Sequence, residues 1–584
     1  EWPLWTLSSA YLIAIAIALF SLADDPSWLK RPRWPGIAAA VGGGLLLIDL
    51  VFGARAGTHA GGDAGYHIAR VRLISEIGLN SWDPLIADRR IDSVYHTNLY
   101  HALIAMSAQL TRSDPAWAWL EVWPFAKLLT VAGSYQLALA VFGRRWLAWL
   151  GATTSLICYA TYSVLPFPNT LAPAALLPMG LAAGVEAISG EHSLRPAFWL
   201  GASALALAQV HDLNAAFLAI VIAPCLLVAI CVRAITGQPG KRRLLAALIA
   251  VGASFPWLIV PALPHLHAIV AGAGSTRDSP AAVSGEMSPT RSSTPAAISG
   301  DLRELKKNHK ADRLTRLDNG LYVMPIGQLL GPFDRNPLGL IALAFALLFW
   351  RRSEVRAFAA LLALTGAWLT VPILCTFLLR SFGAAWAVVR LTSIFPIALS
   401  VLIPAAAFVR FDRLRRRDSF RRFTEFGAIA IAILYAQRIG RHPAPWSERD
   451  YWLAVTNDQV RETERAIRER VYFFTSVVPS GATVLANTRW DYNLPMHMRA
   501  HTLALADGRG WHGVANMIER RRETEEFFDK ATSGERRFEI LRKYGIHYIY
   551  MSRRSAFSTA LSLGLERASV ARATRQGALL RVRY

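Results

Sequence analysis

Cysteine is scarce. The chain holds four, Cys158, Cys225, Cys231 and Cys375. All sit inside hydrophobic blocks and no two have the spacing of a metal site, so neither a disulfide framework nor a zinc site is indicated. The C-terminal part lacks a Gly-rich phosphate loop and a serine-nucleophile elbow. Acidic residues are also short, 41 against 63 Lys and Arg, which leaves a formal charge of +22. Such a charge often marks a nucleic-acid binder. Here many of the basic residues lie in short loops between apolar blocks, the pattern of membrane orientation rather than of a phosphate-tracking surface, and no nucleic-acid partner is expected.

What is abundant is apolar sequence. Hydrophobic residues make up 53% of the chain and the mean hydropathy is positive, both beyond the soluble average. They cluster in blocks long enough to cross a bilayer as helix. The expected spans are about 4–22, 37–53, 116–142, 146–165, 170–188, 197–210, 213–233, 244–263, 338–350, 357–378, 384–409 and 423–438. Basic clusters follow the first span (Lys30, Arg31, Arg33), the third (Arg144, Arg145), the seventh (Arg233, Lys241, Arg242, Arg243), the ninth (Arg351, Arg352, Arg356) and the eleventh (Arg410 to Arg422). Every one falls after an odd-numbered span, as the positive-inside rule demands. The expected fold class is therefore an α-helical polytopic membrane protein, with a transmembrane domain over 1–439 and outer loops at 54–115 and 264–337. Residues 440–584 form a periplasmic α/β domain on this reading, placing the chain in a bacterial inner membrane.

Within the first outer loop, Leu99–Leu110 is too short to span and reads as an interfacial helix. The loop 264–337 opens with a Ser/Thr/Pro/Gly-rich stretch that cannot build a core, followed by DLRELKKNHKADRLTRLDNG, which fits a short polar helix. In the C-terminal domain, Val460, Ile467, Val471 and Phe474 recur at helical spacing, and ATVLA, HTLALA, HYIYM and LLRVRY read as strands with helices near 513–530 and 534–544.

The segment GGDAGYHIARVRLISEIG places Asp63, His67 and Arg70 at i, i+4 and i+7, on one helical stripe at the outer membrane boundary. A carboxylate there can take the proton of an acceptor hydroxyl, and neighbouring cations such as Arg70 and Arg72 can hold a departing phosphate. Asp is also a favoured helix cap, and on that alternative Asp63 merely caps the helix while His67 and Arg70 touch lipid head groups. His211 and Asp212 interrupt two apolar blocks, at a cavity or merely in a polar turn. Arg380 and Arg390 flank the outer mouth of the tenth and eleventh spans, to bind a lipid-linked phosphate or to snorkel. Asp83, Asp88, Arg89, Arg90, Asp92, His96 and His101 fit no metal motif and read mostly as solvated surface.

With its outward acidic residue after an early span, amphipathic first loop, about a dozen spans and C-terminal α/β domain, the chain resembles the GT-C superfamily of membrane glycosyltransferases. DAGYHIARVRLISE is similar to the loop in which those enzymes keep a catalytic aspartate, and RRFEILRKYGIHYIYMS resembles the terminal domain of bacterial members. The resemblance implies that Asp63 is catalytic; His67, Arg70, Arg72, His211, Asp212, Arg380 and Arg390 are the candidate substrate-binding residues beside it. It implies a polyprenyl-phosphate sugar as donor, an inverting transfer, and a lipid, glycan or protein acceptor in the cell envelope. The stretch holding Trp490, Asp491 and Tyr492 departs from the oligosaccharyltransferase signature WWDYG at Arg489 and Asn493, which argues against transfer to a protein asparagine. No metal ligand is assigned, and the residues leave open whether a divalent metal assists. The rival readings are a non-catalytic subunit of a membrane assembly and a lipid or sugar transporter. No internal repeat supports the transporter.

Overall fold

The computed structural model describes residues 63–79, 82–87, 99–143, 145, 148, 151–152, 167–190, 194–253, 314–325, 352–382, 385–393, 465, 468–487, 493–505, 516–551, 553–564, 566–574 and 577–584. The expected spans at 4–22, 37–53, 338–350 and 423–438 lie outside these residues, as does the expected domain boundary at 440.

Helix α1 (Asp63–Ile77) packs with α2 (Leu99–Thr111) and α3 (Pro115–Glu121) around Ala64, Ile68, Val71, Ile104 and Trp119. Gly78 ends α1 in the left-handed region, its N–H donating to Ile74 O at 2.9 Å. The expected span 116–142 is two helices, α3 and α4 (Trp123–Phe142). They part at Val122, ahead of Pro124, which has no N–H to continue the ladder.

The apolar bundle continues through α5 (Pro168–Ser189), α6 (Arg195–Val210), α7 (Asp212–Ile235) and α8 (Lys241–Gly252). Among the described residues α5 and α7 are long and apolar enough to cross a membrane. Glycines bring them together. A Cβ on Gly180 would stand 2.7 Å from Leu218 Cδ2, and one on Gly184 2.6 Å from Ile222 Cδ1, so two side chains one turn apart on α7 fill two gaps one turn apart on α5. Inside α5 a π turn, Ala172–Leu176, swings the Ala175 carbonyl against Gly133 of α4, leaving no room there for a Cβ.

The basic loops also do local work. Arg233 donates to Ile188 O at 3.0 Å and Arg243 to Gly190 O, both at the C-terminal end of α5. Arg352 donates to Phe142 O at the end of α4, at 2.8 Å. These carbonyls have no partner within their own helices, and the guanidinium groups supply one.

The expected single span 357–378 is replaced by α9 (Ser353–Thr370) and α10 (Pro372–Phe382), bent by 80°. Proline forces the preceding residue out of the helical region, and Val371 is extended at φ −84° and ψ 117°. A hairpin, β1 (Thr315–Arg316) with β2 (Tyr322–Val323), fills the bend: Met324 N–H donates to Leu369 O at 2.9 Å and Tyr322 N–H to Thr376 Oγ1 at 2.7 Å. The described end of the stretch expected as a polar helix is thus this hairpin. α11 (Ala385–Arg390) follows α10 and ends in a 3-10 turn, Leu391–Ser393.

The C-terminal domain is a five-stranded mixed sheet in the order β4 (Ala500–Thr502), β3 (Ala482–Ala486), β5 (Tyr548–Met551), β7 (Ala578–Val582), β6 (Ala568–Ala573). The first three strands are parallel and the last two pair antiparallel. Alternation splits the strands between two cores. Leu485, Ile549 and Leu580 face α13 (Met517–Phe528), α14 (Gly534–Lys543) and α15 (Arg553–Leu563); Val484, Tyr548 and Leu579 face Phe473, Phe474 and Leu494, the last from α12 (Asn493–His497). β4 is an edge strand, and the first loop covers it: Thr502 N–H donates to Leu85 O at 2.7 Å, beside a cluster of Leu85, Ile86, Ala504 and Leu505.

The glycine contacts predict an order of damage. Gly133→Ala drives a methyl into backbone and should cost about 1–3 kcal/mol or more. Gly180→Ala and Gly184→Ala meet only flexible side-chain ends and should cost less. Thermal melts of the purified protein in detergent check the ranking, and equal losses at all three sites would contradict it.

Candidate active site

Three elements far apart in sequence meet at the head of α1. α1 contributes His67 and Arg70, α2 contributes His101, and the junction of α6 and α7 contributes His211. All four side chains are buried. His67 Nδ1 lies 2.8 Å from His101 Nε2, so one imidazole donates to the other. His67 also lies parallel to Trp119, with ring centroids 5.3 Å apart and planes within 5°, and Phe167 closes the edge of the stack. Burial pushes His67 down to about 3, with a smaller contribution from nearby His211. Burial, followed by the charges of His67 and Arg70, holds His101 well below its ordinary value. The pair is neutral at physiological pH.

Asp63 is the first residue of α1, one turn before His67 on the same face. Its side chain lies outside the described atoms. Arg70 donates to Trp82 O at 3.1 Å. Burial pulls its guanidinium below the ordinary range, opposed by Tyr66 and Asp83. Asp83 in turn accepts from Leu85 N–H at 2.8 Å and Ile86 N–H at 3.0 Å. Arg70 and Asp83 therefore shape the turn at 82–87.

Arg72, expected among the substrate-binding cations, is engaged elsewhere. It donates to both carboxylate oxygens of Asp114 at 2.8 Å, and through Nε and a terminal nitrogen to Met496 O at 3.1 and 2.9 Å.

His211 caps the start of α7 in extended geometry, and Asp212 Oδ1 accepts from Leu213 N–H at 2.7 Å, placing a carboxylate at the positive end of the helix dipole. Asn214 Nδ2 donates to His211 Nδ1 at 3.0 Å. On the other side of the ring, His211 Nε2 stands 3.5 Å from a terminal nitrogen of Arg390, so the imidazole bridges Asn214 and the guanidinium. Arg390 is partly buried, whereas Arg380 is exposed on α10 near Tyr322. Among the described residues no contact joins Arg380 to His67, His211 or Arg390, nor does any group of three His, Cys, Asp or Glu fit a metal ion.

Sequence reasoning brought His67, Arg70, His211 and Arg390 into view and passed over Trp119, Asn214 and Asp114; His101 and Asp83, read there as solvated surface, are buried. His101 had one available signal, its place inside the apolar run LYHALIAM. Asp88, Arg89, Arg90, Asp92 and His96 lie outside the described residues.

Acid should weaken this region. Unfolded imidazoles take up protons near pH 6.5, whereas the buried pair resists protonation, so below about 6.5 the unfolded state binds more protons. Stability should fall as pH drops from there toward about 3, at up to ~1.4 kcal/mol per pH unit for each such group. His101→Phe should flatten the dependence, measured as melting temperature between about pH 7 and 5. An unchanged slope in that variant would refute the assignment.

No protein-family model and no curated protein sequence matches the chain. Among solved structures it is similar to ArnT from Cupriavidus metallidurans in the apo state, with a TM-score of 0.46 and 12% identity over 93% of this chain and 97% of that one. It is similar to the same protein bound to undecaprenyl phosphate, with a TM-score of 0.45 and 12% identity over 95% and 98% of the two chains. The archaeal oligosaccharyltransferase AglB from Archaeoglobus fulgidus, in complex with an inhibitory peptide and a dolichol-phosphate, gives a TM-score of 0.42 and 12% identity over 90% of this chain and 70% of that one. These are likenesses in the course of the backbone.

Proposed function

We propose that the chain is an inverting glycosyltransferase, moving a sugar from a polyprenyl-phosphate carrier to a lipid, glycan or protein acceptor. The observation that carries this reading is the convergence of the partly buried Arg390 guanidinium with His211, 3.5 Å apart, beside the head of α1. A guanidinium in that place can donate to a phosphate oxygen. The pair lies close enough to His67 for the charge of His211 to be felt there, and His67 is one turn along α1 from Asp63.

In this reaction Asp63 accepts the proton of the acceptor hydroxyl. The oxygen attacks the anomeric carbon as the bond from that carbon to the phosphate oxygen breaks. The electron pair leaves with the polyprenyl phosphate, and His211 and Arg390 meet the charge that develops there. The walls contributed by Trp119 and Phe167 keep water out, which strengthens those interactions. The basic loops after odd-numbered spans support placing the site and the domain 440–584 on the periplasmic side of a bacterial inner membrane.

Asp63→Asn keeps size and capping ability, since Asn and Asp rank together as caps. It removes the proton acceptor, and the expected loss in rate is roughly 10²–10⁴-fold. Arg390→Gln should weaken donor use roughly tenfold or more, as expected for a lost hydrogen bond to a charged group. Both are read as transfer of labelled sugar from a panel of undecaprenyl-phosphate sugars into membrane material, at matched expression. Near-normal transfer by a well-expressed Asp63→Asn protein would sink the catalytic assignment and favour a non-catalytic subunit.

A further inference from the structure

One guanidinium sits at the centre of the joint between α1 and the C-terminal domain. Arg72 is 5% exposed. On one side it grips the carboxylate of Asp114, the residue that caps α3 by accepting from Ala116 N–H at 2.9 Å. On the other it binds Met496 O in α12. Met496 is itself buried among Ala64, Ile68 and Val71 of α1. The next residue, His497, is 1% exposed and stacked near-parallel with Phe474, and neither ring nitrogen has a hydrogen-bond partner among the described residues. The Arg72 contacts are thus buried, and the low local dielectric makes them strong and directional. At its margin Ser480 Oγ donates to Glu76 Oε2 at 3.1 Å, and Arg499 pairs with Glu76 at 3.9 Å.

The C-terminal domain does not need this clasp to fold, since its sheet carries a core on each face. What the clasp fixes is where α1 lies relative to that domain. We propose that Arg72 is a positioning residue, tying the C-terminal domain to α1 so that this domain sets the placement of Asp63 at the head of the same helix. The proposal rests on the reading of Asp63 as the base. Arg72 then touches neither sugar nor phosphate, and its loss should act on kcat with little effect on KM, because a misplacement of about 1 Å can cost on the order of 10²-fold in rate.

The test uses the full-length protein in membranes, with cysteines at Glu76 and Ser480 joined by a short bismaleimide and each single cysteine variant as control. Arg72→Met should lower the cross-link yield and reduce kcat roughly 10- to 100-fold at nearly constant KM for an undecaprenyl-phosphate sugar. Asp114→Asn should do the same to a smaller degree. Molecules of Arg72→Met that have been cross-linked should regain most of the lost kcat, which a merely destabilised protein would not. If Arg72→Met does not accumulate, Arg72→Lys keeps the charge, loses the planar fork and should show the same pattern at smaller size.

Unchanged cross-linking with unchanged kcat overturns the proposal. So does a raised KM with intact cross-linking, which would make Arg72 a donor-binding residue. The cross-link needs no turnover, so the joint is tested even if Asp63→Asn retains transfer, the separate result that removes the base.

Discussion

A carbonyl oxygen at the end of a helix has no donor within its own element, and where water is scarce another group must supply one. Much of this structure is arranged around that need. Arg233 and Arg243 serve the end of α5, Arg352 the end of α4, and Arg72 the Met496 carbonyl of α12. At the bend between α9 and α10 the donor is a backbone N–H, that of Met324. Each bond joins segments far apart in the chain, so the same contact that satisfies a polar atom also fixes how two elements sit. Charge that the sequence shows as topology thus becomes, in three dimensions, the fastening of the bundle.

The site reverses the usual role of its residue types. Histidine and arginine are expected to bring positive charge, yet the His67–His101 pair is held neutral by burial and the Arg70 guanidinium is drawn toward a backbone carbonyl. Positive character is carried instead by Arg390, which stands beside His211. A neutral, aromatic wall beside one cationic corner is a suitable shape for a molecule that is sugar at one end and phosphate at the other.

Local features were legible in the sequence wherever a local pattern decides structure. ATVLA is strand β3 to the residue, the expected span 213–233 lies within Asp212–Ile235, and the short apolar stretch 99–110, expected as a helix, is Leu99–Thr111. Errors arose where one residue overrides an average. Hydropathy runs smoothly through 357–378, but Pro372 alone breaks it. Strand β6, ASVARA, has too little apolar alternation to be noticed, and it forms because β7 offers it an edge. In the site, the stripe of Asp63, His67 and Arg70 follows from helical period, whereas His101 is 34 residues from its partner and Met496 is 424 from Arg72. An arginine that binds phosphate and one that binds a carbonyl look alike in sequence. The difference lies wholly in which distant segment folds against it.

The bond from Thr502 to Leu85 has a consequence for what the C-terminal sheet is as an object. Its parallel edge is finished by a strip of chain borrowed from more than four hundred residues upstream, and the apolar side chains of Ala504 and Leu505 are covered by the same strip. Cut away from the rest, the sheet would present a bare strand and an oily margin, the combination that invites one copy to pair with another. During synthesis the first loop is made long before this edge exists. The nascent protein therefore carries its own edge protector, made well before the last quarter of the chain arrives.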